Sequence, residues 1–111
     1  MIFQSVNEDG IPAWQLILNN KKTVTRRAKP KRLNSIVSVQ PRRCAKGVCK
    51  IKIKNCMLHT DWLKSIKSEE EYQREAEREG FKTYDGLMCW LKKHAKTEIE
   101  NLWRIEFELV K

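Results

Sequence analysis

The stretch Ile17–Arg27, ILNNKKTVTRR, changes character halfway along. Its opening residues complete an apolar helical stripe, with Trp14, Ile17 and Leu18 at i, i+3 and i+4. Pro12 suits the first turn of that helix. Asn19-Asn20 then offers a left-handed stop, a job usually given to glycine. Beyond it Thr23, Val24 and Thr25 are rich in β-branched side chains, so a strand is predicted from about Thr23. Thr23, Thr25 and Arg27 share one face of that strand and Val24 takes the other. Lys22 sits at the junction, where strand parity does not fix its direction. Pro30, in AKPKRLN, ends the strand.

Working outward, SIVSVQP alternates and stops at Pro41, and RRCAKG reads as a turn. VCKIKIKNCML is the clearest strand: Cys49, Ile51 and Ile53 point one way, Lys50, Lys52 and Lys54 the other. SEEEYQREAEREGF predicts a helix with a capping box from Ser68 to Glu71, a solvated acidic face and a glycine stop at Gly80. TYDGLMCWLKKHA predicts another, capped by Thr83, with Leu87, Trp90 and Leu91 as its stripe. LWRIEFELVK closes the chain as a strand with Trp103, Ile105, Phe107 and Leu109 inward. Trp14, Trp90 and Trp103 therefore fall on core positions. Trp62, in a short TDWLKS turn, is the best candidate for exposure, although packing under the following helix is favoured. No repeat, linker or low-complexity segment interrupts the 111 residues, which are expected to form one domain, 1–111. Strands and helices are segregated. The expected class is α+β, with a mostly antiparallel sheet closed into a small β-barrel and helices at its side.

Charge narrows the function. Residues 1–54 hold thirteen Lys or Arg and two acids, whereas residues 55–111 hold ten and twelve. No acid occurs between Asp9 and Asp61. A block of one sign repels itself unless it meets a polyanion, and nucleic acid is the commonest. No apolar run reaches membrane-spanning length, and MIFQSVNEDG lacks the basic-then-apolar pattern of a signal peptide. A cytoplasmic location with reduced thiols is the expectation. CAKGVCKIKIKNCMLH places Cys44, Cys49, Cys56 and His59 within sixteen residues. Cys49 lies on the core face, however, and Cys56 stands roughly 23 Å further along an extended strand. The gaps match none of the common zinc patterns, so neither metal nor cofactor is expected.

Four blocks carry a resemblance: ILNNKKTVTRR, VSVQPRR, REGFKTYDGLMCWL and LWRIEFELV. In this order they resemble the ASCH domain, a PUA-like β-barrel family, over nearly the whole chain. The family signature at the first helix-to-strand junction runs G-x-K-x-x-(E/T)-x-R. Here Asn20, Lys22, Thr25 and Arg27 stand at those positions, and asparagine tolerates the left-handed backbone that the glycine serves. The E-G-F block is intact as Glu79, Gly80 and Phe81. The P-G-R-G of many microbial members reads Pro41, Arg42, Arg43, Cys44, so the arginine is kept as Arg43 and both glycines are replaced.

The resemblance implies two activity classes. Many members are taken as RNA- or nucleotide-binding modules. A smaller group resembles acetylcytidine amidohydrolases, and some members are described as ribonucleases. The amidohydrolase positions fall here on Lys22, Thr25 and Glu79. Amide hydrolysis needs a nucleophile, a base and an acid for the leaving amine. Thr25 suits attack or the positioning of a water, Lys22 suits the base if Arg26 and Arg27 lower its pKa, and Glu79 suits proton shuttling. The phosphate-facing set is Lys21, Arg26, Arg27, Arg43, Lys50, Lys52 and Lys54. The leading expectation is an RNA or nucleotide partner, with a base entering a cleft formed by Lys22, Thr25, Arg27, Arg43 and Glu79. Hydrolysis in the same cleft is the alternative, and a module for an acidic protein partner is a third class.

Overall fold

The computed structural model describes residues 1–111. Helix α1 (Ala13–Leu18) leads into strand β1 (Val24–Arg27), followed by β2 (Ile36–Val39) and β3 (Cys49–Leu58). Helices α2 (His59–Ser65), α3 (Glu69–Glu79) and α4 (Tyr84–His94) come next, then a 3-10 turn at Ile99–Asn101 and strand β4 (Trp103–Leu109). The four strands form one antiparallel sheet in the order β1-β4-β3-β2. The α+β class is as expected. No helix is long and apolar enough to cross a membrane.

The expected closure into a barrel does not occur. β1 and β2 are edge strands of four residues each and do not pair with each other, so the sheet stays open. The N-terminal residues bridge the gap instead. On one side the Phe3 amide donates to Gln40 O and the Gln40 amide to Met1 O. On the other, Trp14 N–H donates to Phe3 O and Arg27 Nη2 to Ile2 O. Phe3 is buried in the main core with Ala13, Ile17, Val39, Ile51, Ile53, Ile105 and Phe107. That core sits between α1 and the inner sheet face. Each fully buried Ile or Phe in it contributes about 1.5–3 kcal/mol. A second cluster of Leu87, Leu91 and Leu102 packs α4 beside the sheet.

The helix stop at Asn19-Asn20 forms as read. Asn20 takes φ 59°, and the amides of Lys21 and Lys22 both donate to Leu16 O, at 2.8 and 3.2 Å. Cys44, where the family signature has a glycine, keeps a left-handed φ of 63°. Thr83 caps α4 by accepting from Gly86 N–H at 3.0 Å. The capping box expected at Ser68 does not form: the Ser68 side chain makes no cap bond, and Glu71 instead accepts from the amide of Lys67, one residue before the cap, at 2.7 Å.

Three further expectations change. TDWLKS belongs to helix α2, whose seven residues are too few to show a helical period. Trp62 packs under the following helix as favoured: it is the most deeply buried tryptophan and meets Tyr72 of α3 edge-on. Trp14, Trp90 and Trp103 are only half-buried, at the margins of the two cores. The acidic face of α3 is not wholly solvated, because Glu75 and Glu79 are buried with Ala76.

Candidate functional site

The site begins where α1 and α3 end against each other. α3 stops at Gly80 with φ 93°, and a Cβ there would lie 2.7 Å from Leu16 Cδ1. Glycine thus serves both the left-handed turn and the close approach of α1. The last carbonyls of α3 carry the negative end of the helix dipole. Lys22 meets them directly: its Nζ donates to Glu79 O at 2.8 Å and to Glu79 Oε1 at 3.1 Å. The Thr23 amide donates to Arg78 O, which ties the start of β1 to the same helix end.

Glu79 divides its carboxylate between two cations. Oε2 accepts from Arg26 Nη1 at 2.8 Å, while Oε1 takes Lys22. Arg26 then extends the network. Its Nη2 donates to Glu75 Oε2 at 2.8 Å and its Nε to His59 Nδ1 at 3.0 Å. Glu75 lies one turn before Glu79 on α3 and also accepts from Arg104 Nε and Nη2. Arg26 and Arg104 are cross-strand partners of β1 and β4, so one sheet face presents two guanidinium groups to one helix. The Trp62 ring covers Arg26 with 4.7 Å from Cζ to centroid. No buried side-chain nitrogen or oxygen lacks a partner.

The environment sets the protonation states. Burial pushes Glu75 up, but the hydrogen bonds and charges of Arg104 and Arg26 outweigh it and hold the carboxyl below its usual range. Burial, then the charge of Arg26, draws His59 down to about 4. His59 is therefore neutral at pH 7, with its proton on Nε2 because Nδ1 accepts from Arg26. Burial lowers the pKa of Lys22; Glu79 opposes the shift, and Arg27 and Arg26 add to it.

Beside this network lies a cleft of about 430 Å³. Lys22, Thr25, Arg26, Arg27 and Glu79 form its polar floor, and Phe3, Leu16, Phe81 and Trp90 stand among its apolar lining. Thr25 is buried, and its Oγ1 accepts from Arg27 Nε at 3.3 Å. The Arg27 guanidinium stacks 4.6 Å from the Phe3 ring centroid.

The structure thus brings Lys22, Thr25, Arg27 and Glu79 to one cleft. Arg43 does not join them: it is exposed in the turn before β3, outside the lining. Arg26 is not a surface phosphate contact, since it is buried and each of its three side-chain nitrogens donates to a neighbour within the fold. Lys21, Lys50 and Lys54 are exposed and Lys52 is half-buried. Lys54 lies 3.7 Å from Glu108 of β4. Cys44 and Cys89 are exposed, while Cys49 and Cys56 are half-buried.

Sequence reasoning missed Glu75, His59 and Arg104. The available signal was the i, i+4 pairing of Glu75 with Glu79 around Ala76, which puts both carboxylates on the packed face of α3. Arg104 falls on the strand face opposite Ile105, and that face reads as solvated until a helix is known to cover it.

No family model matches the chain, and no curated protein matches it significantly. Two solved structures are similar. One is an Enterococcus faecalis protein assigned to the family model DUF984, with a TM-score of 0.56, 16% identity, and coverage of 87% of this chain and 69% of that one. The other is an ASCH domain from Lactobacillus crispatus, with a TM-score of 0.52, 16% identity, and coverage of 86% and 69%. Strand order, helix placement and this likeness agree with the resemblance carried by the sequence blocks: the chain has the α+β fold of the ASCH domains.

Proposed function

We propose that the cleft receives one nucleoside of an RNA strand, while the lysine row on β3 holds phosphates outside it. The observation that supports this most is the cleft itself. It sets hydrogen-bonding groups of Lys22, Thr25, Arg27 and Glu79 at the floor and aromatic surface of Phe81 and Trp90 in the wall. A base needs both: edges to hydrogen-bond and a face to stack on. Its volume of about 430 Å³ falls within the range of small-ligand sites. Lys50 and Lys54 add exposed charge on the sheet face opposite Ile51 and Ile53.

Titration of isotope-labelled protein with single-stranded oligoribonucleotides tests this reading. Amide and indole shifts at Thr25, Arg27, Phe81 and Trp90 are expected, together with salt-sensitive shifts along Lys50–Lys54. Shifts confined to the lysine row, with the cleft silent, would refute it.

A second reading rests on Lys22, whose burial favours the neutral amine that a general base requires. With Thr25 and Glu79 in the same cleft, the site has the parts for hydrolysis of an acylated nucleoside or, alternatively, a ribonucleic phosphodiester. Release of acetate from acetylcytidine, abolished by Thr25→Ala, is its test.

A further inference from the structure

Charge is not balanced in the cleft. Among its lining residues Lys22, Arg26, Arg27 and Lys96 are cations, and Glu79 is the one carboxylate. Glu79 is already shared by Lys22 and Arg26. Arg27 is left with neutral partners only: Nε donates to the Thr25 hydroxyl and Nη2 to the Ile2 carbonyl. No carboxylate lies within 4.0 Å of its guanidinium. Lys22 and Arg26, the two buried cations of the floor, each have an acidic partner.

Arg27 is half-buried, and an arginine drawn partly out of water with no acidic partner is costly unless something compensates it. Burial lowers its pKa, and the only opposing influence is the charge of Glu79, which is engaged elsewhere. The guanidinium is also held rigidly. Its Nε and Nη2 are fixed by the two neutral bonds, and the Phe3 ring packs against one face at 4.6 Å. Nη1 makes no hydrogen bond within the protein. A pre-aimed guanidinium with spare donors in a partly dry cleft favours an anion.

We infer that the ligand of this cleft is anionic, a nucleotide whose phosphate lies against Arg27, rather than a neutral nucleoside. The inference rests on the nucleoside reading above and narrows it: the base occupies the aromatic end, and the phosphate adjoining it supplies the counter-charge that Arg27 lacks. Lys96 lines the same cleft and is exposed, so it adds to the attraction for an incoming phosphate.

Trp90 lines the cleft, so the part of the tryptophan fluorescence change that is lost in Trp90→Phe reads occupancy. The probes are the four common ribonucleosides, their 5′- and 3′-monophosphates, inorganic phosphate and a short oligoribonucleotide. At least one monophosphate is expected to bind ten-fold or more tightly than its nucleoside, and Arg27→Gln should weaken the monophosphate more than the nucleoside, so that the ratio falls towards one. Arg27→Lys should restore part of it. A preference for the oligoribonucleotide, equally sensitive to Arg27→Gln, would assign the phosphate to an RNA chain; a preference for the mononucleotide would assign it to a free nucleotide. Equal affinity for nucleoside and nucleotide, unmoved by Arg27→Gln, would overturn the anion while leaving the nucleoside cleft standing. Phosphate binding that depends on Arg27, with no nucleoside bound, would keep the anion and overturn the nucleoside. Failure of every probe would overturn both. Thermal unfolding of each variant confirms that the loss is local.

Discussion

Lys22 and Glu79, 57 residues apart in sequence, close on each other twice: Nζ donates to the carbonyl oxygen at 2.8 Å and to the carboxylate at 3.1 Å. One ammonium thus neutralises a helix end and the side chain at that end. Removing either partner is not symmetric. Glu79→Gln deprives both Lys22 and Arg26 of charge compensation, whereas Lys22→Met leaves Glu79 paired with Arg26 and keeps most of the stem volume. Breaking a buried pair from one side costs about 3–5 kcal/mol. Denaturant unfolding should show Glu79→Gln at or above that range and Lys22→Met clearly below it. Equal losses would show that Arg26 does not hold Glu79 in Lys22's absence.

Stability should fall on mild acidification. His59 is held down to about 4 from its ordinary 6.5. Between those two values the unfolded chain takes up a proton that the folded one refuses, so stability declines as pH drops through the window. The full shift corresponds to about 3 kcal/mol. Glu75 acts in the same direction at lower pH: its depressed pKa gives stability above the unfolded value that is lost as pH falls through the folded one. His59→Gln should flatten the upper part of the curve and leave the lower part. An unchanged slope between pH 6.5 and 4 in that variant would show that another group titrates there.

Gly80 was legible as a helix stop; its second duty was not. A Cβ at 2.7 Å from Leu16 Cδ1 adds a clash to the cost of a left-handed alanine, which alone is about 1–2 kcal/mol. Gly80→Ala should therefore destabilise by more than that backbone cost. Combining it with Leu16→Ala should give less than the sum of the two single losses, since the smaller side chain removes the clash. Strict additivity would place the whole effect in the backbone.

The same contrast runs through the molecule. Local signals sufficed for the Asn20 stop, the β3 alternation and the Thr83 cap, because each is decided within four residues of chain. Local signals did not group Lys22, Thr25 and Glu79; the family resemblance did, since nothing in spacing alone brings residue 79 to residue 22. The buried ion network was illegible because it depends on which sheet face α3 covers. Arg26 and Arg104 read as ordinary strand cations until Glu75 is set above them. Barrel closure failed for a related reason: four-residue edge strands give no sign of whether they will pair with each other or with a terminal segment.

The lysine row of β3 separates affinity from cleft occupancy. Lys50, Lys52 and Lys54 alternate with the buried Ile51 and Ile53, so their charge can be reversed without touching the core. RNA binding should weaken steeply with salt, because each neutralised phosphate releases counterion. Replacing all three lysines by Glu should abolish RNA binding, whereas a mononucleotide that fills only the cleft should keep its affinity. Thr25→Val works the other way. It keeps the β-branched shape and removes the hydroxyl at the cleft floor, so a bound nucleotide should lose about 1–3 kcal/mol while the salt slope for RNA stays the same. Unchanged RNA affinity in the triple variant would remove the lysine row from the interface. A salt slope that falls with Thr25→Val would mean that the cleft and the row do not act separately.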